Sequence, residues 1–201
     1  MYITCHISKK ICAMLTDNHI ISPEETKFYL YCFDFVLDNI LFNASIFLIG
    51  VLLDVPLQAA LYLITMIPVK MFAGGAHARS RMKCSMVSFS VFLLILFLTS
   101  LFAETMPQGM IHLSFFLSLF LILFMAPVDT QNKRIPAGQR GRYKQKCLLC
   151  CLFVIAIYAI LQYYKCRECY FWVSICMMAV SINQGIGMMI NAYGKQGGER
   201  C

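Results

Sequence analysis

Residues 85–103 read SMVSFSVFLLILFLTSLFA, nineteen positions without one charge. A helix crossing the roughly 30 Å hydrocarbon core of a bilayer needs about 17–25 such residues. In lipid the backbone N–H and C=O groups have no water to bond, so a single uncharged run of this kind must satisfy them internally, as a helix. Five more apolar runs accompany it: 33–53, 57–72, 109–126, 147–164 and 170–192. The second is interrupted by Pro68 and Lys70. The composition agrees. Of 201 residues, 60% are hydrophobic and 13% charged, against about 45–50% and about 25% in soluble domains. Mean hydropathy is +0.70. That excludes a disordered chain, which needs few apolar residues and many charges. A collagen-like repeat is excluded by a glycine count of only 11. A water-soluble globule of this size has no way to hide so much apolar surface. The expected fold class is all-α: a polytopic integral membrane protein with six transmembrane helices.

The net charge of +7 comes from 17 Lys and Arg against 10 Asp and Glu. Its distribution explains it better than nucleic-acid binding does. Fifteen of the 17 basic residues fall before the first run, in loops two and four, or in the tail; only Lys165 and Arg167 fall on the alternate connections. By the positive-inside rule, both termini and loops two and four are expected in the cytoplasm. The 11 cysteines are odd in number and lie mostly in apolar runs, and residues 1–8 read as no secretory signal. No disulfide framework is expected, and most of these thiols read as small hydrophobes.

Ahead of the first run, Ile3, Ile7, Ile11, Met14 and Leu15 share one helical face, while His6, Lys9, Lys10 and Ala13 lie elsewhere. That pattern suits an N-terminal amphipathic helix, lying in the membrane interface or packed on the bundle. Ser22-Pro23-Glu24-Glu25 then reads as a helix start, with a capping Ser, Pro at the first helical position and Glu at the third. The expected organisation is one membrane domain, 1–201. It comprises an interfacial segment 1–21, a six-helix bundle 22–192 with a loop at 70–85 that carries the chemistry, and a flexible tail 193–201.

That loop reads KMFAGGAHARSRMKC from Lys70 to Cys84. It holds one of four histidines, a cysteine at the entrance to a span, and four basic residues: Lys70, Arg79, Arg81 and Lys83. A Cys nucleophile works as the thiolate, which neighbouring positive charge and a helix N-terminus favour. Ser80 is placed to cap that helix, and His77 to act as the base. Seven residues of continuous α-helix rise about 10.5 Å, too far for a contact of roughly 3 Å between His77 and Cys84. The pair therefore requires that no continuous helix run through both. Gly74 and Gly75 weaken helix propensity just upstream.

This segment, Gly-Gly-Ala-His-Ala with a Cys seven residues after the His, resembles the accessory gene regulator protein B (AgrB) family. So do the length, the six spans, the amphipathic start and a basic fourth loop opening with Ala126-Pro127. The resemblance implies a cysteine endopeptidase of quorum sensing in the bacterial cytoplasmic membrane, with its active site on the cytoplasmic side. Its substrate would be an AgrD-type precursor peptide. Cys84 matches the family nucleophile and His77 the base. The C-terminal tail would be cut off and the acyl group passed to a peptide thiol or hydroxyl, closing a thiolactone or lactone ring. A homodimer is also implied. One departure stands at Lys70, where members often carry Arg; Lys keeps the charge without the bidentate fork. No metal, cofactor or nucleic acid is expected, for no Walker or His-Glu-x-x-His motif is present.

Around the pair stand supporting candidates: Lys70, Gly74, Gly75, Arg79 and Asp129, the last as an orienter of His77 or, more simply, a solvated loop carboxylate or one half of a local salt bridge. Lys133 and Arg134, in the basic fourth loop, would meet acidic parts of a substrate or anionic lipid. Asn183 and Gln184, inside the last span, are read first as glue between helices and second as a substrate path. Asp34 and Asp38, four apart near one end of the first span, should face protein or headgroups. Two rival functions remain. Cys166 and Cys169 form a C-x-x-C that a membrane thiol-disulfide oxidoreductase would use. A peptide exporter would show paired intramembrane charges and an inverted repeat, and neither is evident.

Overall fold

The computed structural model describes residues 2–76, 81–129 and 135–198. Those residues form seven α-helices and no strand: α1 (Tyr2–Asp17), α2 (Thr26–Leu52), α3 (Pro56–Ala73), α4 (Arg81–Phe102), α5 (Gln108–Met125), α6 (Arg140–Tyr163) and α7 (Arg167–Gly198). Helices α2 to α7 are each long and apolar enough to cross a bilayer. The chain is a multi-pass membrane protein. Each helix coincides with one of the six apolar runs. Pro68 sits inside α3 without ending it, as membrane helices tolerate. At the basic ends the helices outrun the apolar stretch. Helix α6 begins at Arg140 and runs through Gly141, its polar first turns needing no lipid. The backbone of α7 likewise continues to Gly198, into the stretch read as a tail.

Two compact units divide the chain, Met1–Asp54 and Val55–Cys201. In the first, α1 packs on α2. The face of α1 that is buried carries Thr4, Ser8 and Cys12, whereas Ile7 and Met14 stay exposed. Ile11 and Leu15 of the apolar stripe are half-buried, so the packing face combines small side chains, which let two helices approach closely, with one edge of the stripe. Burial pushes the Cys12 thiol above its ordinary range. Helix α2 starts at Thr26 rather than at Ser22. Residues 23–25 form a turn, closed by the Glu25 N–H on the Ser22 carbonyl at 3.1 Å. The Glu25 carboxylate still accepts the Ser22 N–H at 3.4 Å, so half of the expected capping box forms one turn early. Within α2, Asn39 and Ser45 donate to the carbonyls of Phe35 and Leu41, each at 2.7 Å, which satisfies their polar atoms without a second helix.

In the second unit α7 is the central element, lying against α3, α4, α5 and α6. Trp172, Val173, Cys176, Met177, Val180 and Gln184 are all fully buried and follow one helical stripe. Trp172 meets Phe92 of α4 edge-on at 5.8 Å, and Phe115 of α5 stacks on Tyr158 of α6 at 3.8 Å. Polar bonds tie the same helices. Ser114 and Ser174 lie 2.7 Å apart across α5 and α7, and His112 Nδ1 is 2.7 Å from the Tyr158 hydroxyl. At the end where α4 passes into α5, Arg167 donates to the carbonyls of Ala103 at 2.6 Å, Glu104 at 3.4 Å and Met106. It thereby gathers carbonyls that the helix end leaves without intrahelical partners.

Candidate active site

At the opposite end of this unit, α3 stops because of two glycines. Gly74 has φ +76° and ψ −163°, and Gly75 has φ +136°. Both conformations belong to glycine. Gly74 also sits where a Cβ would lie 2.1 Å from the Val128 carbonyl oxygen. That closeness comes from a single parallel bridge between Gly74 and Val128, in which the Val128 N–H donates to the Ala73 carbonyl at 2.9 Å. The end of α3 and the segment following α5 are thus joined through their backbones.

Helix α7 supplies the floor. Gln184, fully buried, donates its Nε2 to the Ala73 carbonyl at 3.0 Å and to the Ile122 carbonyl of α5 at 3.5 Å. One residue earlier, the Asn183 carbonyl accepts the Ala76 N–H at 3.1 Å. Gly187 lets the segment lie flat on the helix: a Cβ there would be 2.7 Å from both the Ala76 nitrogen and the Gly75 carbonyl carbon. One turn on, Asn191 donates its Nδ2 to the Asp129 carbonyl. The Asp129 carboxylate accepts from Arg140, with which it forms an ion pair, and from the Ile135 N–H at 3.3 Å.

Of the sequence candidates, Gly74, Gly75, Asn183 and Gln184 are brought together. Gln184 acts between elements through its side chain, whereas Asn183 does so through its backbone carbonyl and its buried amide nitrogen has no hydrogen-bond partner among the described residues. Asp129 stands beside them, its carboxylate held by Arg140 and Ile135. Lys70 lies in the last turn of α3, and its carbonyl accepts the Gly74 N–H at 3.2 Å. Cys84 is the fourth residue of α4, half-buried and without a disulfide. His77, Arg79, Ser80, Lys133 and Arg134 lie outside the described residues. The helix boundaries leave 74–76 non-helical between α3 and α4. The C-x-x-C pair sits at the other end of the unit, where Cys169 is buried, 2% exposed.

Gly187 and Asn191 were not singled out from the sequence, and for Asp129 a local salt bridge was read without Arg140 being named as its partner. A signal for the first two existed: positions 183, 184, 187 and 191 lie on one helical face and are polar or glycine within an apolar span. Among the described residues, no three His, Cys, Asp or Glu side chains come together as a metal site.

The family model described as accessory gene regulator B matches residues 8–182. An AgrB-like protein of Clostridium perfringens strain SM101 is 30% identical over 129 residues, 60% of this chain and 60% of that protein. A second AgrB-like protein, from Clostridium perfringens strain 13, is 25% identical over 168 residues, 80% of this chain and 78% of that protein. The chain thus spans less than two thirds of the first relative's length and more than three quarters of the second's. No solved structure matches.

Proposed function

The chain belongs to the accessory gene regulator B family, and on that premise we propose that it is a membrane-embedded cysteine endopeptidase that processes an AgrD-type precursor peptide for quorum sensing. The observation that carries the reading is the placement of Cys84 in the first turn of α4, directly after a stretch whose upstream end is fixed by the double-glycine turn. Because α3 ends at Ala73 and α4 starts at Arg81, the continuous helix that would hold His77 and Cys84 about 10.5 Å apart is not imposed by either element.

The reaction follows from the two side chains. His77 takes the Cys84 thiol proton, and the sulfur attacks the scissile carbonyl. The C–N bond to the C-terminal tail breaks, and His77 returns the proton to the leaving amine, leaving a thioester on Cys84. A thiol of the peptide then attacks that thioester and Cys84 departs as thiolate, to be reprotonated. The product is a thiolactone ring, or a lactone where a hydroxyl attacks. One thioester replaces another, so bond energies nearly balance, and release of the tail draws the sequence forward. Water must be kept from the acyl-enzyme, and a site at the membrane boundary provides that exclusion. The basic residues of the fourth loop, Lys133 and Arg134 among them, would hold acidic parts of the peptide. The site would face the cytoplasm, and the enzyme would work as a homodimer.

The test is co-expression with a tagged precursor, following tail release by mass for wild type, Cys84→Ala and His77→Ala. Cleavage should vanish in both variants while folded protein persists. Continued cleavage by Cys84→Ala would sink the mechanism and turn attention to Cys166 and Cys169.

A further inference from the structure

We propose that Asn183, Gln184 and Gly187 of α7 form a positioning element for the peptidase site, setting the path of residues 74–76 and through them the place of the histidine that follows. The proposal rests on the assignment of His77 and Cys84 just given, and names a part of the site that the His–Cys motif does not contain.

Three contacts from α7 converge on three residues, Ala73, Gly75 and Ala76. The Gln184 amide holds the Ala73 carbonyl, the last of α3. The Asn183 carbonyl holds the Ala76 N–H, the residue immediately before His77. Gly187 offers a flat helical surface on which Gly75 and Ala76 lie in backbone contact. Each of these groups sits in a helix that packing makes immobile: α7 is the central element of its unit, and Gln184 is fully buried. A side chain held by packing and second-layer bonds keeps a reacting group within the narrow tolerance that chemistry demands. Burial of an amide in a mostly apolar span is unfavourable unless it gains partners. The Gln184 Nε2 finds them on the segment leading to the site and on α5, while its Oε1 has no hydrogen-bond partner among the described residues. None of the three α7 groups touches Cys84 in the described structure, so their role is positional.

The same helix provides its own control. A Cβ on Gly187 would meet the Ala76 nitrogen and the Gly75 carbonyl carbon at 2.7 Å, whereas one on Gly185 meets nothing within 4 Å. Both replacements change helix propensity alike; only Gly187→Ala must lift the 75–76 segment, by about 0.7 Å to restore ordinary contact. Misplacement of about 1 Å costs on the order of a hundredfold in rate.

The experiment uses the full-length protein in membranes with the precursor peptide. It measures kcat and KM for tail release, and the rate of iodoacetamide alkylation at Cys84 as a function of pH, read by peptide mass. Gly187→Ala should lose roughly 10- to 100-fold in kcat with KM within about threefold. Its alkylation profile should move to that of His77→Ala, and adding Gly187→Ala to His77→Ala should change that profile no further. Gly185→Ala should match wild type in every readout. A Gly187→Ala enzyme with wild-type kcat overturns the proposal. So does an equal loss in both glycine variants, or a loss that leaves the alkylation profile at the wild-type position. If Gly187→Ala fails to accumulate, Gln184→Met decides by the same readouts: a shift toward the His77→Ala profile supports positioning, and wild-type values overturn it. Cleavage surviving in Cys84→Ala or His77→Ala would overturn the peptidase assignment and this proposal with it. Normal Gly187→Ala kinetics beside dead Cys84→Ala and His77→Ala enzymes would overturn this proposal alone.

Discussion

Replacing Gly74 by alanine should destabilise the second unit by about 2–4 kcal/mol. Two effects add. The backbone at φ +76° and ψ −163° lies in a region reserved for glycine, where another residue costs of order 1–3 kcal/mol. Besides, the new Cβ would sit 2.1 Å from the Val128 carbonyl oxygen, a backbone atom that moves only if the bridge between Gly74 and Val128 opens. Opening it loses the Val128 N–H bond to Ala73, worth about 0.5–1.5 kcal/mol net. Strain and lost bond are not strictly additive, since relaxing one relieves part of the other, hence the range. The assay is reversible unfolding in mixed micelles by titration with SDS, followed by tryptophan fluorescence. Trp172, the single Trp of the chain, is fully buried in the same unit. Gly109→Ala serves as the reference, because nothing lies within 4 Å of a Cβ there. Its stability should stay level or rise by up to about 1 kcal/mol, as for Gly to Ala in helices generally. A Gly74→Ala protein within 0.5 kcal/mol of wild type, on the order of ordinary surface scatter, would refute the argument that the α3 stop depends on glycine geometry.

Two more outcomes are expected. Arg167→Ala should lower stability by about 1.5–3 kcal/mol, the net worth of hydrogen bonds from a charged donor, because the Ala103, Glu104 and Met106 carbonyls lose a shared partner. Arg167→Lys should recover only part, since an ammonium lacks the planar fork; thermal unfolding in detergent checks both. As for orientation, the basic-residue asymmetry predicts that a membrane-impermeant maleimide labels Cys166 on intact cells and Cys84 only in inside-out vesicles. The reverse pattern would reject the cytoplasmic placement of the termini and of the active site.

The fold was legible because lipid leaves little choice. A run of some twenty uncharged residues has one way to satisfy its backbone, so composition and run length fix the number and order of helices almost unaided. A misreading arose where water returns as an alternative partner. At Ser22 the chain is exposed, and a turn closed by Glu25 competes with a first helical turn on nearly equal terms; the helix starts at Thr26. On α1, read from the sequence as either interfacial or packed, Thr4, Ser8 and Cys12 are buried, Ile7 and Met14 exposed, and Ile11 and Leu15 half-buried. Hydrophobic periodicity finds a packing face only when water is the alternative. Beside lipid, a leucine-sized side chain gains little from burial and small residues share the contact.

The residues of the candidate site stand together in the sequence; the parts that surround them do not. Cys84, His77 and the two glycines stand within one fifteen-residue stretch, where local arguments about helix rise and propensity apply. The parts that hold this stretch come from Val128 and from 183–191, 44 and more residues away in sequence. Polar residues within a span announce only that a partner must exist, because an amide in hydrocarbon without one costs several kcal/mol. They do not say which carbonyl it is. Gln184 has chosen the end of α3, and a carbonyl freed there by a glycine turn is a good acceptor for the same reason the turn is strained: the helix that would have used it has stopped. The glycines and the glutamine are thus two halves of one device. Removing either should be felt at the other, so Gly74→Ala and Gln184→Met should be less than additive in unfolding free energy. Full additivity would separate them into unrelated features.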